Sequence, residues 1–173
     1  SQAVPLEVQK HPLYEHVTVA DLQRQFDLAV EIRDRTSDAN EAVIQIRDIK
    51  AQIGQRLEQS KNARLKEIGD LVVRKLTEVE EAIYQVRNPS GQDPLHFPIK
   101  TNNRLASLRR SVETGDAAPT DAAYVIFKEL SAELQTQLDT LGGVVKGDLA
   151  NFNKAAVGQK LKPVAPAPVE RPR

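Results

Sequence analysis

The apolar positions of this chain recur at three- and four-residue intervals over most of its length, the period of helices with one buried face. Thr18 precedes the first run and Asp21 stands three residues later, a capping-box arrangement that predicts a helix start. Leu22, Phe26, Ala29 and Val30 open the stripe, and Val43, Ile46, Ile49, Ile53 and Leu57 continue it. Between them the polar run 36–40 offers Ser37 as a second N-cap, but it holds neither Gly nor Pro. One helix over about 19–59 is predicted, with a kink at 36–40 as the alternative. Residues 59–62 supply a turn. A second helix over 63–87 carries Leu65, Ile68, Val72, Leu76, Val79, Ile83 and Val86, while Lys66, Asp70, Arg74 and Glu78 alternate in sign along a solvated face.

Residues 88–98 hold Pro89, Gly91, Pro94 and Pro98, so no helix passes through them. A third helix over 98–114 follows, with Pro98 in its first turn and Ile99, Leu105, Leu108 and Val112 on its apolar face. Gly115 and Asp116 end it. Thr120 caps a fourth, whose stripe runs through Tyr124, Phe127, Leu130, Leu134, Leu138, Leu141, Val145, Leu149 and Phe152 to about residue 156. The chain thus divides into an extended lead-in (1–17), a helical bundle (18–157) and a proline-rich tail (158–173) expected to be polyproline-like and mobile. In the lead-in Val4, Leu6 and Val8 alternate as in a strand, with Pro5 confining it to an edge. The fold class is all-α: an elongated antiparallel, up-down bundle of three to four long helices.

Aromatic residues make up only 4% of the chain and Trp is absent, so the core must be built from Leu, Ile, Val and Ala. Lys+Arg and Asp+Glu are both 24, and a balanced charge argues against a nucleic-acid binder and against strong attraction to an anionic membrane. No apolar run approaches the roughly 20 residues that span a bilayer. With no Cys, disulfides and thiolate metal sites are excluded.

Candidate chemistry is sparse. His11, His16 and His96 have no i, i+4 ligand partner, and no phosphate loop or nucleophile elbow occurs, so neither a catalytic site, a metal site nor a cofactor is expected. Glu78, Glu80 and Glu81 read as a solvated helix face. Lys100 and Arg104 stack on the third helix while Arg109 and Arg110 diverge, which favours solvation or ion pairing. Gly142, Gly143 and Gly147, with Gly54 and Gly69, fit either close helix packing or local bending. The remaining candidate is the connector: Asn88, Ser90, Gly91, Gln92, Asp93 and Pro94 form either a fixed turn, in which Asn88 or Asp93 bonds backbone N–H groups, or a recognition loop at the end of the rod.

The run Ser90-Gly91-Gln92-Asp93-Pro94-Leu95 has a further meaning. With Ala20-Asp21-Leu22, Gln25-Phe26, Ile32-Arg33-Asp34, Asn40-Glu41-Ala42-Val43, Tyr84-Gln85 and 127–134, it resembles the C-terminal helical region of bacterial sortilin-like proteins with BNR (Asp-box) β-propellers, often labelled glycosyl hydrolases. The resemblance extends from about Pro5 to Phe152. It implies a piece of a larger secreted, periplasmic or extracellular protein, which fits an opening Ser1 in place of Met, and it offers the last strand of a preceding β-domain as the reading of residues 1–10, with an extended lead-in or a disordered terminus as the alternatives. Propeller blades of that family carry Ser-x-Asp-x-Gly-x-Thr-Trp repeats. None occurs here, so any hydrolase or recognition chemistry would belong to the propeller. The expected function is a non-catalytic structural or interaction module whose partners are proteins or neighbouring domains. The alternative is a free-standing helical adaptor or assembly subunit. A lipid-surface protein would need Trp and a basic polar face, which the helices lack.

Overall fold

A computed structural model describes residues 4–7, 9–87 and 96–166. Helices α1 (Val19–Glu58), α2 (Ala63–Ile83), α3 (Thr101–Val112) and α4 (Asp121–Val144) pack together, and α4 continues through a π-helical turn, Val145–Leu149, into α5 (Ala150–Gly158). No strand occurs among the described residues, and the end of the lead-in, 11–17, forms turns closed by Tyr14 N–H to the His11 carbonyl and Val17 N–H to the Tyr14 carbonyl.

At the start of α1 the capping box forms as its residues dictate: the Thr18 side chain accepts from Asp21 N–H at 3.1 Å, and Thr18 N–H donates to Asp21 Oδ2 at 2.8 Å. The polar run inside α1 does not break it. Thr36 and Ser37 donate their hydroxyls back to the Ile32 and Arg33 carbonyls, at 2.8 and 3.1 Å, in place of capping a new helix. At 40 residues, α1 is about 60 Å long and forms the spine of the bundle.

Three side-chain contacts give the chain direction. Glu80 of α2 meets Arg47 and Lys50, Asn102 of α3 meets Asn40, and the Val112 carbonyl meets Gln25. Both α2 and α3 therefore run antiparallel to α1, one after the other along it. The α4–α5 leg returns parallel to α1, with Arg35 donating to the Ser131 carbonyl near its start and Lys75 bonding Asp148 further on. The cross-section has three legs, and the middle one is split into α2 and α3.

Isoleucines 32, 46, 49 and 53 of α1 are fully buried, with Leu65, Leu76 and Ile83 of α2, Leu105 of α3, Leu130 and Leu134 of α4 and Phe152 of α5. Each such side chain contributes about 1.5–3 kcal/mol relative to exposure. Four stripe members do not join them: Phe26 is 63% exposed, and Val86, Tyr124 and Ile99 are exposed as well. Phe26 and Tyr124 sit in the early turns of α1 and α4, and Val86 and Ile99 lie between α2 and α3.

Helix boundaries differ from expectation in two places. α2 stops at Ile83 rather than 87, because Tyr84 takes extended angles (φ −129°, ψ 137°) and α3 occupies the next stretch of α1. α3 starts at Thr101 rather than 98, so Pro98 lies outside its first turn. Lys100 is the N-cap, with no side-chain bond, and the Thr101 hydroxyl is engaged by Glu133. In the last leg Val144 is buried and the next buried residue is Leu149, one residue more than an α-helical turn allows, and the π-turn absorbs the difference.

The glycines separate into two kinds. A Cβ on Gly69 would meet Leu57 and Phe152 at 3.1 Å and Ile53 at 3.3 Å, which is close packing. Gly54, Gly142, Gly143 and Gly147 face open space, so packing does not explain them.

Of the tail, residues 159–166 are described. After α5, residues 161–166 lie against the bundle: Val164 is 3% exposed, and side chains of Arg56, Asn153 and Gln52 bond the backbone carbonyls of Lys162, Val164 and Ala165. Composition is blind to the groove that receives this segment.

Candidate functional site at the root of the connector

The sequence candidates Asn88, Ser90, Gly91, Gln92, Asp93 and Pro94 lie outside the described residues. Their two anchors are described, and these lie in the middle of the rod rather than at its end. On the α2 side, Glu80 is 4% exposed and bonds Arg47 Nε at 2.7 Å and Lys50 Nζ at 3.0 Å. Burial pushes its carboxyl up, but the hydrogen bonds from Arg47 and Lys50 outweigh it and hold Glu80 below the usual range. The reading of Glu80 as solvated face is corrected: a helix charge is solvated only where no neighbouring leg covers it. Arg47 also lies over the Tyr84 ring, 5.1 Å from its centroid, so one guanidinium fixes both the last turn of α2 and the first residue beyond it.

Across the connector, Gln85 Nε2 donates to the Pro98 carbonyl at 2.9 Å, and Arg87 lies 5.8 Å from the Phe97 ring centroid. These contacts close the connector at its base. On the α3 side, Glu133 of α4 accepts from the Thr101 hydroxyl and from Arg104 at 2.8 Å. Asn102, 6% exposed, donates to Asn40 at 3.3 Å, and its side-chain oxygen Oδ1 is buried with no hydrogen-bond partner among the described residues.

The other candidate residues are dispersed. Arg104 pairs with Glu133 and Arg109 with Glu113, in keeping with ion pairing. Arg109 and Arg110, adjacent in sequence, both reach one groove between α1 and α3, of about 510 Å³, where Arg33, Thr36 and Ser37 form the opposite wall. Among the described residues no three His, Asp or Glu side chains gather as metal ligands. Among the described residues, the two carboxylates with displaced pKa values, Glu80 and Asp21, are both held in their charged form, opposite to what a general acid needs. No helix is long and apolar enough to cross a membrane.

The arrangement is that of an all-α bundle with a rigid clasp around the mouth of a loop. Compared with known proteins, the chain matches no family model, no curated protein and no solved structure.

The clasp residues were not legible as a site in the sequence. Arg47 and Lys50 stand one turn apart on α1, a weak signal that gains meaning only once the register places Glu80 opposite them.

Proposed function

We propose that this chain is a non-catalytic interaction module, a helical rod that presents the connector between α2 and α3 to a protein partner. One observation carries the reading: the connector is far longer than the gap it closes. Glu80 meets α1 at Arg47 and Asn102 meets it at Asn40, which are about 10 Å apart along the helix. Extended, residues 84–100 would reach roughly 50 Å. A loop longer than its bridging task, mounted on a rigid base, is where binding residues concentrate. Asn88, Ser90, Gln92 and Asp93 give it donors and acceptors, and the balanced charge favours a protein over a nucleic acid.

The wider context, a C-terminal module of an exported sortilin-like propeller protein, rests on the sequence resemblance alone. A free-standing adaptor or assembly subunit would use the same loop.

The test is a photo-crosslinking amino acid at Gln92, with Glu67 on α2 as control position, in the full chain exposed to extract of the source cells. The expected result is a discrete adduct from position 92 that disappears when residues 88–95 are replaced by a Gly-Ser linker of equal length. Identical adducts from positions 92 and 67 would sink the proposal.

A further inference from the structure

The chain turns back on itself after α5. Leu161 N–H bonds the Ala156 carbonyl at 3.0 Å and Lys160 N–H bonds that of Val157 at 2.9 Å, the paired bonds of a Schellman turn, with Lys160 at φ 61°. This turn directs residues 161–166 into the groove between α1 and α5. There Asn153 donates to the Val164 carbonyl at 2.8 Å and accepts from Val164 N–H at 2.7 Å. Gln52 does the same for the next residue, donating to the Ala165 carbonyl at 2.8 Å and accepting from Ala165 N–H at 3.3 Å. Arg56 Nε donates to the Lys162 carbonyl at 2.9 Å.

A carboxamide carries one donor edge and one acceptor, so it can pair with both polar groups of a residue in an extended chain. Two carboxamides on opposite walls clamp consecutive residues in this way. The bonds from Gln52, Arg56 and Asn153 all read backbone. Side-chain selection falls to Val164, 3% exposed, with Leu161 partly buried beside it. Pro163 and Pro166 flank the clamped pair, and neither residue whose N–H is used is a proline. Such a segment is already extended before binding, which reduces the entropy lost on docking.

We infer that the α1–α5 groove is a binding site for an extended peptide of the form Pro-aliphatic-x-Pro, and that residues 161–166 are its resident, displaceable ligand. Tethered by a few residues, the tail competes at an effective concentration in the millimolar range, so a free peptide gains access only when the tail is weakened.

The test uses the full chain and a fluorescein-labelled peptide with the sequence of residues 160–167, followed by fluorescence anisotropy. The variant Val164→Asp undocks the resident tail. It should bind the peptide at least tenfold more tightly than the wild type does. Adding Asn153→Ala to that variant, or replacing the valine of the peptide by aspartate, should weaken binding at least tenfold. Circular dichroism melting monitors the bundle, and Val164→Ser replaces Val164→Asp if the latter melts early. A folded variant that fails to bind the peptide overturns the inference, and so does one that binds the aspartate peptide equally well.

Discussion

The same substitution, Gly to Ala, should act in opposite directions at two interior helix positions. In a helix interior Ala is favoured over Gly by about 1 kcal/mol. At Gly54 in α1 the added methyl enters open space, so the full gain should appear. At Gly69 in α2 it would lie 3.1 Å from Leu57 Cδ1 and Phe152 Cε2 and 3.3 Å from Ile53 Cγ2. Leu57 is only partly buried and can swing aside, but Ile53 and Phe152 are fully enclosed. Inserting a methyl into such packing costs about 1–3 kcal/mol. Offset against the helix-propensity gain, Gly69→Ala should destabilise by about 1 kcal/mol. Urea unfolding with unchanged slope reads both values, and each should move the melting temperature by about 2–4 °C per kcal/mol for a chain of this length. Phe152→Leu shortens the obstructing side chain, so Gly69→Ala should cost less in that background. Equal stabilisation by Gly54→Ala and Gly69→Ala would refute the packing argument.

Three further outcomes follow from single contacts. Glu80→Ala removes the carboxylate shared by Arg47 and Lys50, and should cost about 2 kcal/mol in urea unfolding, below the 3–5 kcal/mol of a fully buried pair because Arg47 is 53% exposed. Lys160→Gly relieves a left-handed backbone angle worth about 1–2 kcal/mol but adds unfolded-state freedom worth about 0.4–1 kcal/mol, so a net stabilisation of about 0.5–1 kcal/mol is expected in the same assay. Asp21 is held at about 2, first by the Thr18 side-chain hydrogen bond, then by Thr18 N–H and Arg24. A depressed carboxyl contributes stability above its unfolded value, which is lost as pH falls through the folded one, so the first turn of α1 should fray between about pH 4 and 2, by NMR, and Asp21→Asn should remove that dependence.

The helical period and the two Thr caps were enough to place α1 and the starts of the α2 and α4 legs, because spacing and capping are local. Register between legs is not local, and the misreadings trace to it. Glu80 looks like any surface glutamate until α2 lies against Arg47 and Lys50. Phe26 keeps the helical spacing yet lies outside the seam that α3 and α4 cover. Val86 continues the α2 stripe on paper, but α3 already occupies the matching stretch of α1. The tail shows the same limit from the other side. Pro163 and Pro166 announce an extended chain, whereas the side chains that hold it, Gln52 and Asn153, stand 113 and 11 residues from their partners. The candidate residues 88–94 lie outside the described residues, while the clasp at their base carried no motif.

The split of the middle leg is the feature from which a functional reading should start. A continuous helix opposite α1 would satisfy its own backbone and need no polar side chains at mid-rod. Breaking it exposes the last carbonyls of α2 and the first N–H groups of α3, whose N-cap Lys100 offers no side-chain bond. At this level of the rod stand Arg47, Lys50 and Glu80 on one side and Thr101, Arg104 and Glu133 on the other, with Asn102 carrying a buried oxygen that has no partner among the described residues. Buried polar groups such as Glu80, Thr101 and Asn102 seldom add net stability over an apolar core of equal shape. Their effect here is to fix where one helix stops and the next begins. The interruption therefore sets the position of the connector with more care than a plain turn between two legs requires, and that is the physical ground for the proposal that the connector takes part in recognition.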